Sequence, residues 1–484
     1  MLKDLRQTRI DKLNNLAKAG FEVYPEKSQK DYSNKYALEN FDNLLDKEIF
    51  LIGRIRSLRQ MGVLIFFHIE DESGKIQALL KEDISGKNAF KLFAENIDIG
   101  DFVQVEGKLF KTKSEEKTIE VKSWKILSKA IRPIPSEFYG LKDKEELLRK
   151  RYLDLIVNSE TKELFRKKNI FWKSVREILS KKGFLEVDTP ALEAIPGGAE
   201  ARPFITHHNA LDRNFYLRIS LELPLKRLLV GGFEKVYEIG KVFRNEGIDA
   251  EHLQDYIEME FYWAYMDMKQ GMKFVEKMYK EIVKKISGSL MTEYEGNKIN
   301  WSAKWPKLDY FKEFKKETGI DLSKANLSAE VLKAKADELG IKYEMNYGKG
   351  RMIDVIYKKT VREKLIQPCF LIGHPIEISP LAKKDPKNPK KVLRFQVIAG
   401  KSELGNGFSE LNDPIDQRSR FEEQMKLRQA GDAEAQMADE DFIEAIEYGM
   451  PPAVGFGLSE RLFAFLMNKP IRETVFFPPM KSRE

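Results

Sequence analysis

The sequence is poor in cysteine, because Cys369 is the only one among its 484 residues. An internal disulfide needs two cysteines and a cysteine-rich zinc site needs several, so the composition excludes both. Disulfides accumulate in oxidising compartments, and a chain that cannot form one internally is predicted to be cytoplasmic.

Long apolar runs are also missing. No stretch approaches the roughly 18 consecutive apolar residues of a membrane span. The first residues alternate charges with Leu2, Leu5 and Ile10, so they lack the apolar centre of a signal peptide. Internal repeats and low-complexity tracts are absent as well. We therefore expect a globular protein with no membrane partner.

Charge is what the sequence has in abundance, with 33% charged and 42% hydrophobic residues and a net charge of +7. This balance is typical of folded chains, and the length predicts two or three domains. The positive charge is compatible with a polyanionic partner and equally with a solvated, lysine-rich surface. Charge alone does not separate these two interpretations.

The N-terminal part predicts a small barrel. Residues 1–47 are predicted as a helical extension, whose first, amphipathic helix ends at Gly20. Residues 48–133 carry five short strands with glycine-bearing turns and one helix, which predicts a five-stranded OB-fold β-barrel. Such barrels stack the bases of single strands on exposed aromatic rings, although others bind proteins or sugars. Adjacent strand residues point opposite ways, so only one of Phe66 and Phe67 can face outward.

A proline-punctuated linker at residues 131–136 leads into a larger domain, residues 134–484. Its predicted strands, among them residues 369–378 and 392–400, cluster beside helices without a βαβ rhythm. Residues from about 268 to 364 are more helical and are predicted to form an insertion. The predicted fold class is therefore α+β, with a mostly antiparallel sheet flanked by helices.

One predicted hairpin, residues 236–262, combines a core face with a charged face. Apolar and polar residues alternate on both sides of a polar loop, which predicts two paired strands. Period two puts four polar residues of the second strand on one face: Tyr256, Glu258, Glu260 and Tyr262. With Arg244 at the end of the first strand, the hairpin can hold a phosphate and an ammonium. A surface ladder of ion pairs is the alternative interpretation.

Two further blocks carry possible chemistry. In Gly455-x-Gly457-x-Ser459-x-Arg461, glycines before a predicted helix let the backbone approach a ligand, and a helix start favours phosphate. Taken alone, this block also fits a plain turn. Glu403 and Glu410 flank a tight Gly-Asn-Gly turn and offer hard oxygen ligands that suit magnesium carrying a nucleotide. A loop stabilised by its own side chains is the alternative there.

Taken together, these blocks resemble class II aminoacyl-tRNA synthetases. Motif 1 is similar to residues 184–190, motif 2 to residues 243–262 and motif 3 to residues 455–461. Five further blocks resemble class II lysyl-tRNA synthetases in particular: IPGGAEARPF (195–204), THHN (206–209), KRLLVGGF (226–233), PIEISPLA (375–382) and GNGFSELND (405–413). The similarity runs from the barrel to Pro479 and so covers nearly the whole chain.

The resemblance implies a ligase that activates L-lysine with ATP to lysyl-adenylate and transfers lysine to the 3′ end of tRNA(Lys). It also implies Mg²⁺ as cofactor and a homodimer formed through motif 1, with Pro190 at the interface. No DNA partner is expected.

The resemblance further implies roles for individual residues. The catalytic residues would be Arg244 and Arg461. The ATP contacts would be Arg244, Glu246, His252, Tyr256, Glu403 and Arg461. The lysine contacts would be Gly198, Glu222, Arg244, Glu260, Tyr262, Asn406, Phe408 and Glu410. The anticodon would be read near Arg59, Phe66 and Gln77 of the barrel. The acids agree with lysine, because a desolvated ammonium must meet carboxylates, whereas an aspartate or asparagine enzyme would need cations or amides.

Three positions depart from the family pattern. In motif 3, Ser459 stands near the third glycine and one residue is missing before Arg461. The motif 2 loop continues as His252-Leu-Gln254 instead of His-Asn-Pro. The place of a first magnesium-binding glutamate, seven residues before Glu403, is taken by Gln396, whose neutral amide coordinates magnesium more weakly.

These departures leave two alternatives open. One is a tRNA-binding or regulatory paralog with weakened catalysis, and the other is a class II synthetase for aspartate or asparagine. A paralog that lysylates a protein is disfavoured, because such paralogs lack the N-terminal barrel.

Overall fold

The computed structural model describes residues 2–135, 143–247, 252–432 and 434–481. The chain divides into two compact units, Met1–Lys142 and Asp143–Glu484. Ser136, at the end of the predicted linker, and the tip of the predicted hairpin loop at residues 248–251 lie outside the described residues. Within the described ranges, no helix is both long enough and apolar enough to cross a membrane.

The first unit consists of short helices and a closed barrel. Its helices are α1 (Leu2–Lys18), α2 (Asn34–Glu39), α3 (Phe41–Leu44), α4 (Glu82–Ser85) and α5 (Lys87–Asn96). Its strands are β1 (Glu48–Met61), β2 (Leu64–Glu70), β3 (Lys75–Lys81), β4 (Phe102–Lys111) and β5 (Lys117–Ser128). The strands close in the order β1-β2-β3-β5-β4, which confirms the five-stranded barrel.

Alternating side chains decide which face of each barrel strand is inside. In β2, Ile65, Phe67 and Ile69 are fully buried, while the residues between them are half-buried. Phe67 therefore belongs to the core and Phe66 lies on the outer face, which answers the question left open by the sequence. Leu16 of α1 and Phe41 of α3 pack into the same core, so the N-terminal helices cover the barrel.

The second unit is larger and mixes helices with a broad sheet. Its helices are α6 (Lys144–Arg149), α7 (Arg151–Val157), α8 (Ser159–Lys181), α9 (Glu222–Val230), α10 (Met268–Ser287), α11 (Tyr310–Thr318), α12 (Ala329–Glu338), α13 (Lys349–Thr360), α14 (Pro414–Gln429), α15 (Glu440–Glu447) and α16 (Arg461–Leu466). Its strands are β6 (Leu185–Glu186), β7 (Leu192–Glu193), β8 (Ile205–His208), β9 (Arg213–Leu217), β10 (Lys235–Phe243), β11 (Asp255–Ala264), β12 (Met291–Tyr294), β13 (Asn297–Asn300), β14 (Lys307–Asp309), β15 (Cys369–Ile372), β16 (Lys384–Asp385), β17 (Asn388–Val392), β18 (Arg394–Ala399), β19 (Ser402–Ser409) and β20 (Ala453–Ser459).

The central sheet has eight strands in the order β14-β15-β18-β19-β20-β11-β10-β6. Only the outermost pairs, β14 with β15 and β10 with β6, are parallel, and every other pair is antiparallel. The predicted α+β class with a mostly antiparallel sheet is therefore confirmed.

The two faces of this sheet have different tasks. On one face, Met259 and Phe261 of β11 and Phe456 of β20 pack against α8 and α10 in the main hydrophobic core. Helix α10 begins with a capping box between Asp267 and Gln270, and its amphipathic surface supplies much of that core. The alternate residues of β11 and β20 point to the opposite face, where the candidate site lies.

The predicted insertion holds α10 to α13 and the small strands between them. Helices α11 to α13 form a second hydrophobic cluster around Phe314, Leu332 and Ile356, which also includes Leu371 of β15 and Ile398 of β18.

One predicted strand is shorter than expected. The sequence predicted a strand through residues 369–378, but β15 ends at Ile372. Gly373 adopts a left-handed backbone conformation with φ +70°, and a 3₁₀ turn, Ile376–Ile378, follows. Ile376 and Ile378 imitate the strand period, whereas Pro375 removes a backbone donor that a strand would need.

Candidate active site

The polar face of the sheet forms one wall of a cavity of about 510 Å³. Strands β11, β18, β19 and β20 line it, together with α9, α13 and the Gly198 loop. Most of the residues predicted for ATP and lysine line this cavity: Gly198, Glu222, Arg244, Glu246, His252, Tyr256, Glu260, Glu403, Asn406, Phe408 and Arg461. Tyr262 and Glu410 lie behind the wall instead, both almost fully buried.

Arg244 is fixed at the point where β10 ends. Its backbone N–H donates to the Gln254 carbonyl at 2.8 Å, and its Nε donates to the Ile219 carbonyl at 3.2 Å. The guanidinium lies over the Tyr256 ring, 5.3 Å from the centroid. Although burial lowers the pKa of Arg244, the surrounding phenol and carboxyl groups outweigh it and raise that pKa. The arginine is therefore a permanent cation in the cavity.

Glu258 is the carboxylate that faces this arginine, with 3.5 Å between Arg244 Nη2 and Glu258 Oε2. Burial raises the pKa of Glu258 to about 7, and Arg244 acts against this rise. Sequence reasoning placed Glu258 on the correct face but gave it no role, and the geometry now makes it the partner of Arg244.

Motif 3 places a second arginine near the end of β20. The Arg461 backbone N–H donates to Ser459 Oγ at 3.3 Å, so the serine near the third glycine position supports the start of α16. Arg461 Nη1 donates to the Glu403 carbonyl at 3.3 Å. The shortened motif therefore still presents an arginine in the cavity beside Glu403.

Glu260 is held from both sides on the same strand as Glu258. Its Oε1 accepts hydrogen bonds from Ser220 Oγ at 2.6 Å and from the Leu221 N–H at 2.9 Å. The Tyr262 hydroxyl donates to its Oε2 at 2.7 Å. These bonds orient Glu260 at the cavity wall and explain the place of Tyr262 behind it.

Beside Glu260, Lys226 binds two of the predicted lysine-site acids. Its Nζ contacts Glu222, four residues earlier on α9, and lies 2.5 Å from Glu410 Oε2. Burial raises the pKa of Glu222 to about 7 and raises that of Glu410 well above its usual value, although Lys226 lowers both. Sequence reasoning missed Lys226, because nothing in the pattern separates one lysine from the many others.

Two glycines make room for this group. A Cβ on Gly198, which has φ +86°, would lie 2.8 Å from Ser220 Oγ and 2.9 Å from Glu222 Cβ. A Cβ on Gly455 would lie 2.2 Å from Glu410 Oε1 and 2.4 Å from Tyr262 Cε1. Both positions therefore require glycine for the acids to sit where they do.

The insertion supplies a wall that the sequence did not predict. Arg351 of α13 pairs with Glu200 at 3.1 Å, Asp432 at 3.2 Å and Glu434 at 3.0 Å. It thereby ties α13 to the loop that follows Gly198. Its three partners are far away in sequence, so no local pattern could have identified it.

Gln396 and Glu403 offer oxygen ligands for a cation. Both line the cavity, and Gln396 Oε1 is buried without a hydrogen-bond partner among the described residues. The described part of the chain contains no group of three or more histidine, cysteine, aspartate or glutamate residues suited to a metal. Two oxygen donors nevertheless fit a magnesium ion that takes its remaining ligands from phosphate and water.

The predicted anticodon residues lie on three neighbouring strands of the barrel unit. Arg59 of β1 is the cross-strand partner of Phe66 of β2. Gln77 of β3 pairs with His68, two residues from Phe66 on the same face, and Gln77 Oε1 accepts from Thr118 Oγ1 at 2.8 Å. An exposed arginine and a half-buried ring thus stand side by side on the outer surface.

Known proteins resemble both units. The family of class II tRNA synthetases (D, K and N) matches residues 143–481, and the OB-fold nucleic acid binding domain matches residues 49–127. The second match agrees with the closed barrel.

Full-length relatives are similar throughout. The lysine–tRNA ligase of Carboxydothermus hydrogenoformans is 44% identical over 485 residues, covering 100% of this chain and 99% of that protein. That of Moorella thermoacetica is 44% identical, covering 99% and 98%, and that of Thermotoga maritima is 43% identical, covering 100% and 97%. The chain therefore belongs to the class II lysyl-tRNA synthetases, within the class II family for aspartate, lysine and asparagine.

Proposed function

We propose that the chain is a lysine–tRNA ligase, which activates L-lysine with ATP and transfers it to the 3′ end of tRNA(Lys). One observation carries the proposal: a single cavity brings the arginines Arg244 and Arg461 together with the carboxylates Glu222 and Glu260. The arginines suit a carboxylate and phosphates, and the acids suit ammonium groups.

The balance of charge favours lysine over aspartate or asparagine. Three acids surround the end of the pocket near α9, namely Glu222, Glu260 and Glu410, and Lys226 is the ammonium that contacts two of them. An acidic substrate side chain would meet excess negative charge there and would lose its hydration without compensation. A lysine side chain brings the opposite charge.

Activation begins when a carboxylate oxygen of lysine attacks the α-phosphorus of ATP and pyrophosphate leaves. An α-carboxyl group has a pKa of roughly 3.5 and is already ionised, so the step needs no general base. The chain contributes position and charge: Arg244 binds the carboxylate and the α-phosphate, Arg461 binds the phosphates, and Tyr256 stacks on adenine beside Glu246 and His252.

Magnesium is the proposed cofactor, held by Glu403 and more weakly by Gln396. When bound, it neutralises phosphate charge and orients the triphosphate.

In the second step, the 3′ hydroxyl of the terminal adenosine of tRNA attacks the carbonyl carbon of the adenylate, and AMP leaves. We assign anticodon contacts to Arg59, Phe66 and Gln77, which would stack on and hydrogen-bond to unpaired bases. The cytoplasmic location predicted from the composition fits this substrate.

We also propose a homodimer through motif 1. This segment contains the short edge strand β6 and exposes Leu185 and Pro190, and Leu192, two residues after the segment, is exposed as well, with both leucines 47% exposed. Exposed apolar side chains beside a sheet edge suit an interface between two copies.

Exchange of pyrophosphate into ATP, measured with a panel of amino acids, tests the function. We expect exchange with lysine, little with aspartate or asparagine, and loss of exchange in Arg244→Ala. Binding of tRNA without any exchange would instead support the regulatory paralog, and a preference for aspartate or asparagine would contradict the specificity.

A further inference from the structure

Helix α9 carries a lysine that is sealed inside the protein. Lys226 has no exposed surface, and its Nζ lies 5.2 Å from the centre of the Phe408 ring and 5.9 Å from that of Phe442. A buried ammonium is costly unless carboxylates pair with it. Here Glu222 and Glu410 supply that pairing, and they outweigh burial, which acts to lower the pKa of Lys226, so that this pKa is raised.

This ammonium connects one acid at the cavity with one behind it. Glu222 lines the cavity, whereas Glu410 does not. Lys226 Nζ lies 2.5 Å from Glu410 Oε2, and Glu410 Oε1 lies next to Gly455, where an added Cβ would approach it to 2.2 Å. Lys226 and Glu222 lie one turn apart on α9, so the helix itself keeps the ammonium beside this carboxylate.

The charges around Lys226 do not cancel. Glu222, Glu260 and Glu410 surround one lysine ammonium, and Glu258 interacts with both Glu222 and Glu260 while pairing with Arg244. Arg394 lowers the pKa of Glu222 from the β18 side, and Tyr262 contributes a neutral hydroxyl. At the α9 end of the pocket, three carboxyl groups therefore face the two cations Lys226 and Arg394. An incoming ammonium group would meet more acids than cations there.

We propose that Lys226 is a specificity-determining residue for the lysine pocket, because it pairs with Glu222 and Glu410, favours their negative charge and holds both in place. The inference rests on the proposed function, since it describes the pocket for the substrate side chain. Without Lys226, one of these acids would keep a proton, and lysine would have to displace that proton in order to bind.

Three variants separate charge from packing: Lys226→Met, Lys226→Arg and the double variant Lys226→Met with Glu410→Gln. We expect Lys226→Met to raise the KM for lysine about tenfold at pH 8, the factor for one pKa unit, with a smaller change in kcat. Lys226→Arg retains the cation and should stay within a few-fold of the wild type. The double variant removes one acid together with the cation, so it should recover much of the lost affinity.

Proton release on lysine binding gives a readout that packing alone does not change. Calorimetric titration with lysine at pH 8, in buffers of different ionisation enthalpy, counts the protons. We expect Lys226→Met to release more protons than the wild type, and the double variant to return towards the wild-type number.

The outcomes decide between the inference and the function on which it rests. A wild type without lysine-dependent exchange would overturn the proposed function. A wild type that exchanges, with a Lys226→Met variant of unchanged KM and proton count, would overturn the inference alone. If Lys226→Met does not fold, Lys226→Arg and the double variant still decide. A double variant that also fails to fold contradicts the charge role. So does an arginine variant that releases more protons than the wild type on binding lysine.

Discussion

Single residues in the cavity act mainly through pairs of opposite charge. Arg244 with Glu258 and Lys226 with Glu410 are separated by 3.5 Å and 2.5 Å. Charge-assisted pairs of this kind are strong when solvent is excluded. The two pairs have different tasks, because the first pair lies at the proposed phosphate end and the second behind the proposed ammonium end.

Replacing Glu258 with glutamine should slow lysine activation. The neutral amide would hold Arg244 less firmly, and we expect kcat for pyrophosphate exchange to fall about tenfold, as for the loss of roughly 1.4 kcal/mol of interaction. The measurement is the initial rate of exchange at saturating lysine and ATP. Glu293→Gln, at an exposed position of β12 that does not line the cavity, removes the same charge and serves as the control.

The same residue predicts a pH dependence. Burial, as the main cause, and Glu260 raise the pKa of Glu258 to about 7, while Arg244 acts against them. As the pH falls through about 7, the carboxylate takes up a proton and its attraction to Arg244 weakens. Wild-type kcat should therefore fall below pH 7, and Glu258→Gln should show a flatter acid limb. An equally steep fall in both proteins would contradict the role assigned to Glu258.

At the scale of elements, β20 is the strand against which Glu260 and Glu410 of the pocket pack. Gly457 is the cross-strand partner of Glu260, and Gly455 is that of Tyr262. Side chains on this face of β20 would occupy the space that Glu410 and Glu260 use. The glycines of motif 3 therefore shape the lysine end of the cavity as well as the approach to Arg461.

Gly455→Ala and Gly457→Ala should differ in severity. A Cβ on Gly455 would lie 2.2 Å from Glu410 Oε1, whereas one on Gly457 would lie 3.3 Å from Glu260 Cγ. Overpacking at Gly455 is expected to lower stability by about 1–3 kcal/mol and to raise the KM for lysine. Gly457→Ala is the matched control and should change both less. Thermal unfolding and exchange kinetics measure the two effects, and equal behaviour of the variants would argue against this packing.

Elements were predictable where the signal is local. The alternation of β11 gave the correct face for Tyr256, Glu258 and Glu260, because a strand fixes its side-chain directions by itself. The predicted end of β15 was wrong, because apolar residues beyond Gly373 continued the two-residue strand period although the backbone turns at Gly373. Lys226 was not predicted, because its burial depends on Glu410, which reaches it from a distant part of the chain at the end of β19.

At the scale of the whole molecule, the barrel was easier to predict than the large sheet. Five consecutive strands, all but one pair joined by short turns, specify a barrel almost in chain order. The sheet instead places β11 between β10 and β20, although about 190 residues separate β11 from β20 in the sequence. Such pairings follow from long-range packing, and here the family resemblance supplied what local patterns could not.

Two compact units suggest two separable steps, with activation in the larger unit and recognition of the anticodon in the barrel. Phe66→Ala should then reduce transfer of lysine to tRNA and leave pyrophosphate exchange unchanged. Stacking of a base on an aromatic ring contributes about 1–3 kcal/mol, so kcat/KM for tRNA should fall roughly tenfold to hundredfold.

The matched control is Phe102→Ala, which removes another half-buried phenylalanine of the barrel surface. Phe102 pairs with Arg54, five residues before Arg59 on β1, and its ring lies 4.3 Å from the Arg54 guanidinium carbon. The Phe102→Ala variant should leave kcat/KM for tRNA nearly unchanged, because Phe102 lies away from the pair formed by Arg59 and Phe66. If both variants lose aminoacylation equally, the effect is on barrel stability, and if Phe66→Ala also abolishes exchange, the two steps are not separable in the way the two units suggest.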